Sequence, residues 1–253
     1  MKCKLCNKEK NLLKRSHIIP DFMYNGLFNE KHFIAPLDLL KLQKKKLLSN
    51  GIYDSNILCE DCDNKILGTL ESYSRIVIWG GKGNKDLYPT YENKIDQLNQ
   101  KFIHLENLNY SKFKLFLLSI IWRASISRQK IFDSVLLGDE HEKKIGKMIY
   151  ENNPGESDEY PVGLFILTEN DEFPTKIISN PIPIEDGENI SYMFLINGLV
   201  INFKIQGEGD KEFYNHIKIK DNNTMDIYLF EKEDSKEFLD NYLKKKLRYN
   251  HFA

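Results

Sequence analysis

All four cysteines of this chain lie in two CxxC pairs, Cys3-Lys4-Leu5-Cys6 and Cys59-Glu60-Asp61-Cys62, and the 191 residues that follow contain none. Two residues between thiolates let one tight turn aim both sulfurs at a single tetrahedral ion. Two such turns supply the four ligands of a structural zinc site. Two disulfides or one redox-active pair are the competing uses. The segment MKCKLCNKEK carries lysines with no apolar stretch behind them, so export is not expected and the thiols are expected to stay reduced in a cytoplasmic setting. Duplication of the motif argues against a lone redox pair.

The 52 residues between the pairs must carry structure of their own. Segment 12–20, LLKRSHIIP, reads as a short strand that stops at Pro20. Segment 41–51, KLQKKKLLSNG, reads as a basic excursion closing on an Asn50-Gly51 turn, its lysines 44–46 being solvated charge. Ile57 and Leu58 lead into the second pair, after which Ile66, Leu67, Leu70, Tyr73, Ile76 and Val77 keep a helical period across 64–77. The order is knuckle, strand, insertion, strand, knuckle, helix, which is a treble-clef layout.

The elements CKLC, SHIIP, SNILC and CDNKILGTLE, within residues 1–75, resemble the HNH endonucleases, whose ββα-metal core is often pinned by a zinc treble clef. The resemblance implies that His17 is the general base and that Asn56, just before the second pair, orients the catalytic loop. It makes Cys3, Cys6, Cys59 and Cys62 the ligands of a scaffold zinc, with Asp63 and Glu71 as candidate ligands of a catalytic Mg²⁺ or Mn²⁺. Ser16 stands where many members carry a metal-binding Asp or His, and Asp63 is placed to restore that charge from the helix side. In such a site a neutral imidazole takes a proton from water, the hydroxide attacks a phosphodiester, and the cation neutralises the scissile phosphate. The implied activity is hydrolysis of DNA ahead of RNA, in restriction or phage defence. The alternative is a catalytically inactive zinc-containing adaptor that holds nucleic acid or protein.

Charge is unevenly spread. Residues 1–80 hold 13 Lys and Arg against 9 Asp and Glu, 81–150 hold 12 against 8, 151–240 hold 7 against 20, and 241–253 hold 4 against none. A polyanion is therefore expected to approach the first 150 residues and be repelled by the acidic stretch, which is free to take a protein partner or to self-associate. Lys14 and Arg15, next to His17, are candidate phosphate contacts.

With 41% apolar and 29% charged residues, the chain is expected to be a globular α+β protein in three parts: a zinc domain at 1–80, a helical segment at 81–152, and an acidic antiparallel sheet at 153–253 with a C-terminal helix. The longest apolar run, LFLLSIIW at 115–122, is far shorter than the roughly 20 residues that cross a bilayer, so no membrane partner is expected. An exposed loop is expected at 80–93, and helices near 94–105, 112–130 and 140–150. Trp122 and Arg123 read as a core anchor and a buried ion-pair arginine. GKGNK lacks the Walker spacing, which excludes nucleotide binding there. Strands are expected at 161–168, 175–180, 192–196, 199–205, 216–220 and 225–230, with an Asn197-Gly198 hairpin turn, and a last helix at 235–248. His32, His104, His141, His216 and His251 have no neighbours in sequence that suggest metal binding.

Overall fold

The computed structural model describes residues 1–28, 36–38, 43–44, 51–80, 88–168 and 175–230. The last helix expected at 235–248 lies outside them, as do most of the basic excursion and residues 81–87 of the expected loop. The fold is α+β. Its first part is a short antiparallel pair, β1 (Ser16–His17) on β4 (Tyr53–Asp54), in register Ser16↔Asp54 and His17↔Tyr53. Between them β2 (Leu37–Asp38) pairs with β3 (Gln43–Lys44). The second cysteine pair opens into a wide π-type segment, Asp61–Leu67, that tightens into α1 (Gly68–Trp79). Asp61 and Asp63 in the first turn suit the positive end of the helix dipole, and Gly80, at φ 73°, ends the helix by returning its N–H to Ile76.

Helix α2 (Tyr110–Ile126) is the hub. Asn109 caps it, its side chain accepting from the Lys112 N–H at 2.9 Å, and an unbroken stretch from Phe113 to Ala124 is buried. Helix α3 (Gly138–Tyr150) crosses close to it at Gly146, where a Cβ would lie 2.9 Å from the Trp122 indole nitrogen. That indole donates to the Glu142 carbonyl at 3.1 Å, so Trp122 anchors the core as its sequence context suggests. One apolar cluster runs from Cys3 and Leu58 through Phe116 and Ile120 to Phe194 and Phe203 of the sheet.

The sheet has seven strands in the order β5-β6-β11-β7-β10-β9-β8. These are β5 (Thr90–Ile95), β6 (Lys101–Glu106), β7 (Val162–Leu167), β8 (Ile182–Asp186), β9 (Asn189–Ile196), β10 (Leu199–Gln206) and β11 (Met225–Phe230). It is antiparallel except where β11 runs parallel to β7, after a crossover through α4 (Lys211–Ile217). The β9–β10 turn forms as expected, with Asn197 and Gly198 at φ 54° and 78°.

Three expectations are corrected. The segment near 94–105 is not a helix but the β5–β6 hairpin, whose β5 also takes up part of the loop expected at 80–93. Its decisive residue is Asp96, whose carboxylate accepts from the N–H groups of Leu98 and Gln100 while Asn99 adopts φ 62°; this turn chemistry overrides any helical period. The segment 216–220 is not a strand: His216 and Ile217 end α4, and only Lys218 makes a bridge, to Gly163. A Cβ on Gly163 would fall within 2.3 Å of Ile217, so the bare backbone of β7 lets a helix pack where a strand was expected. Segment 175–180 does not form the expected strand either: it contributes only isolated bridges, Ile178↔Ile196 and Ser179↔Leu37.

Lys114 of α2 is fully buried and donates to the Tyr110 hydroxyl at 3.0 Å and the Glu156 carbonyl at 2.5 Å. Burial pulls its pKa down from 10.5 to about 8, against the opposing pull of Glu159, Asp158 and Glu156. A folded value below the unfolded one means that the cost is complete below pH 8 and fades as pH rises towards 10.5. Buried tyrosines such as Tyr160, raised to about 12, act in the opposite direction only above pH 10. Urea unfolding of metal-loaded protein should therefore show wild type gaining about 2 kcal/mol relative to Lys114→Met between pH 7.5 and 9.5. A constant difference between the two proteins would contradict the placement of this ammonium.

Candidate metal centre and the cleft beside it

The first knuckle is closed by its own backbone: Cys3 N–H donates to the Lys8 carbonyl and Asn7 N–H to the Cys3 carbonyl, both at 3.0 Å, with Asn7 at φ 58°. The second begins where Cys59 bridges Leu12 and ends where Cys62 enters the π-type segment. The four sulfurs lie within 4.8 Å of one another, and Cys6 and Cys59 stand 3.9 Å apart. A tetrahedral ion with metal–sulfur bonds of about 2.3 Å sets its ligands about 3.8 Å apart. All four thiols are free, and three are buried. Burial and the other thiols push the Cys62 thiol up, because four thiolates cannot crowd together without a cation among them. The donor set therefore fits a metal ion such as zinc. Asp61 accepts from Lys10 of the first knuckle at 2.7 Å and from Lys65 at 2.6 Å, which holds its carboxyl down at about 2.

This centre pins β1 against the start of the helix. Alternation along β1 turns Ser16 inward, fully buried, and leaves the His17 side chain 39% exposed. The His17 ring meets Tyr53 edge-on, with centroids 6.4 Å apart, and its Nε2 is 3.9 Å from the Asp21 carboxylate. Gly51 lies against the back of this ring: a Cβ there would be 3.2 Å from His17 Cδ2 and 2.8 Å from the Tyr24 ring. Tyr24 is fixed by its own hydroxyl, which accepts from the Ile52 N–H at 2.7 Å.

Behind the strand, Arg123 of α2 is 1% exposed, and each of its three nitrogens donates a hydrogen bond. Its Nη1 donates to the His17 carbonyl at 3.0 Å and to Glu71 Oε1 at 2.7 Å, while Nε and Nη2 hold the Ser119 carbonyl and hydroxyl. The buried ion-pair arginine is thus present, and its partner is Glu71. Asp63 is brought to the same place. Burial raises its pKa and Glu71 adds to that, while Arg123, His17 and Ser16 pull it down. The Ser16 hydroxyl is close enough to Asp63 to favour the charged carboxylate, yet its Oγ makes no hydrogen bond of ordinary geometry among the described residues.

The candidates therefore divide. His17, Asp63 and Glu71 gather around Arg123, but among the described residues only the four cysteines converge as a group of three or more metal-binding side chains. Asn56 is an exposed turn residue at φ 59° whose N–H donates to the Leu13 carbonyl, and it does not line the His17 cleft. Lys14 is exposed and outside the cleft, whereas Arg15 lines it. His104, without promising neighbours in sequence, meets Asp226 at 2.5 Å across the β6–β11 pairing and Glu106 of its own strand at 3.3 Å.

The cleft beside His17 measures about 620 Å³. Arg15, His17 and Tyr53 form one wall, and Arg75 and Trp79 of α1 form another. A larger groove of about 1010 Å³ lies on the neighbouring flank of α1, lined by Asn64, Tyr73, Asn107 and Asn109 among others. It holds none of the residues expected to do chemistry. Tyr53, Arg75 and Trp79 carry no motif in the sequence, and Gly51 stands out there only as half of an Asn-Gly turn. The i, i+4 spacing of Arg75 and Trp79 was the available signal, whereas Tyr53 and Gly51 gain meaning only through the β1–β4 register.

Elemental analysis should find one tightly bound ion per chain, absent from Cys59→Ser, whose thermal unfolding should fall well below that of wild type because ion binding and folding are coupled. Soluble, folded, ion-free Cys59→Ser would contradict this. Gly51→Ala should cost about 1–3 kcal/mol by urea unfolding, since either His17 or the anchored Tyr24 must move. Comparison of the chain with protein-family models, with curated proteins and with solved structures gives no match.

Proposed function

We propose that this protein is a zinc-clamped, HNH-type endonuclease that hydrolyses phosphodiester bonds of DNA with a second, hard divalent cation. The observation that carries this reading is the setting of His17: a solvent-accessible imidazole in a cleft with Arg15 and Arg75, on a strand held to a helix by four converging thiols. In this reading neutral His17 takes a proton from a water molecule as the water oxygen bonds to phosphorus. The bond to the departing oxygen then breaks, and solvent protonates that oxygen. The Asp21 carboxylate stands 3.9 Å from Nε2. Arg15 and Arg75 hold the phosphate.

Mg²⁺ or Mn²⁺, when bound, would neutralise charge on the scissile phosphate and the departing oxygen. The orphaned Ser16 hydroxyl and the half-buried Asp63 carboxylate are oxygen donors that suit such an ion, which keeps several waters. Glu71, committed to Arg123, is better placed to hold the framework than to bind the ion. The acidic stretch 151–240 directs nucleic acid to the first 150 residues and is available to a protein partner or a second copy. Work in the cytoplasm against foreign DNA fits the resemblance of the N-terminal elements.

One observation favours a second reading, a catalytically silent adaptor: His17, Asp63 and Glu71 do not converge into a ready ion site. Plasmid nicking separates the two. Wild type should cut only when Mg²⁺ or Mn²⁺ is added, and His17→Ala, at equal zinc content, should cut on the order of 100-fold more slowly or less, as loss of a general base predicts. Equal rates for both proteins would end the catalytic claim. Salt-sensitive binding with no cutting under either ion would establish the adaptor.

A further inference from the structure

Resting on that reading, we infer that the His17 cleft takes single-stranded nucleic acid, with unpaired bases stacking on Trp79 and on the Arg15–Tyr53 pair. The guanidinium of Arg15 lies over the Tyr53 ring, 4.7 Å from its centre, a cation–π pair against which a base can pack. Trp79, which lines the same cleft, is 45% exposed at the end of α1, one turn beyond Arg75. Large indoles are seldom left in water without a use, and this one shares a cleft with two arginines.

Cations and open aromatic faces interleaved along one groove are what a single strand needs: the cations follow the phosphates and the rings receive the bases. A duplex gains little from such rings, because its bases already stack on each other and present only their edges. At about 620 Å³ the cleft lies within the range of sites that enclose a small ligand, roughly 300–1,000 Å³, and so suits a nucleotide or two rather than a double helix. His17 lines the same cleft and meets Tyr53 edge-on, which puts the imidazole within the site a bound strand would occupy.

The protein's two tryptophans make the test direct, since Trp122 is buried and only Trp79 can meet a ligand. Full-length, zinc-loaded protein is titrated, without added Mg²⁺ or Mn²⁺, with an oligothymidylate of about 12 nucleotides, its oligouridylate counterpart, and a duplex of the same length. Tryptophan fluorescence and the anisotropy of a labelled strand are read together. We expect quenching by the single strands, binding on the order of tenfold tighter than to duplex, and a loss of roughly 5- to 100-fold in Trp79→Ala, largely restored in Trp79→Phe. DNA and RNA strands binding alike would mark stacking as the common determinant, and a preference for one would name the sugar; either result supports the inference. Tighter binding to duplex, or unchanged affinity in both Trp79→Ala and Tyr53→Leu, would overturn it. Because this readout is binding, a protein that binds single strands but never cuts defeats the nuclease reading alone, and one that cuts duplex without single-strand preference defeats only this inference.

Discussion

Four sulfurs held within 4.8 Å of one another, from turns 52 residues apart, are the constraint on which the N-terminal half is built. The strand pair β1–β4 is only two residues long on each side, far too short to be stable alone. An ion bound among the sulfurs would close the loop between the knuckles, fixing the first against the helix that begins at the second. The Lys10–Asp61 contact repeats that tie at the surface, where an ion pair is worth little beside coordination bonds.

Arg123 performs a comparable task without metal. A buried guanidinium is tolerated only when its donors are satisfied, and here the Glu71 carboxylate, the His17 carbonyl and Ser119 take them up. One side chain of the hub helix therefore joins β1, α1 and α2, fixing the backbone of His17 from behind while its ring faces solvent. Asp63 lies beside this arginine, and the Ser16 hydroxyl next to it makes no hydrogen bond of ordinary geometry among the described residues.

Sheet and knuckles share one apolar cluster but differ in charge. Strands β7, β9 and β10 are buried along nearly their whole length between two apolar clusters, and the excess of carboxylates in the stretch 151–240 makes this part of the chain a poor surface for phosphate. Arg15 and Arg75 instead line the cleft formed by β1, β4 and α1, together with the rings of Tyr53 and Trp79.

Much of this was legible from sequence because it depends on short-range chemistry. The cysteine spacing, the order of elements around it, the Asn197-Gly198 turn, the hydrophobic run of α2 and the burial of Arg123 all follow from residue type and local period. The hairpin at 90–106 was missed because the Asp96 turn competes with a helical pattern over the same residues, and α4 because its packing depends on Gly163, more than 40 residues away. The composition of the cleft lay further out of reach. Glu71 pairs with Arg123 and leaves Asp63 beside Ser16, while Tyr53, Arg75 and Trp79 surround His17, through contacts between segments distant in the chain. Sequence determined which chemistry was at hand, since a thiolate, an imidazole or a guanidinium is defined by its own atoms. Tertiary structure decided which groups were spent on one another and which were left facing water, since that depends on distances set only when strand, helix and hub are packed together.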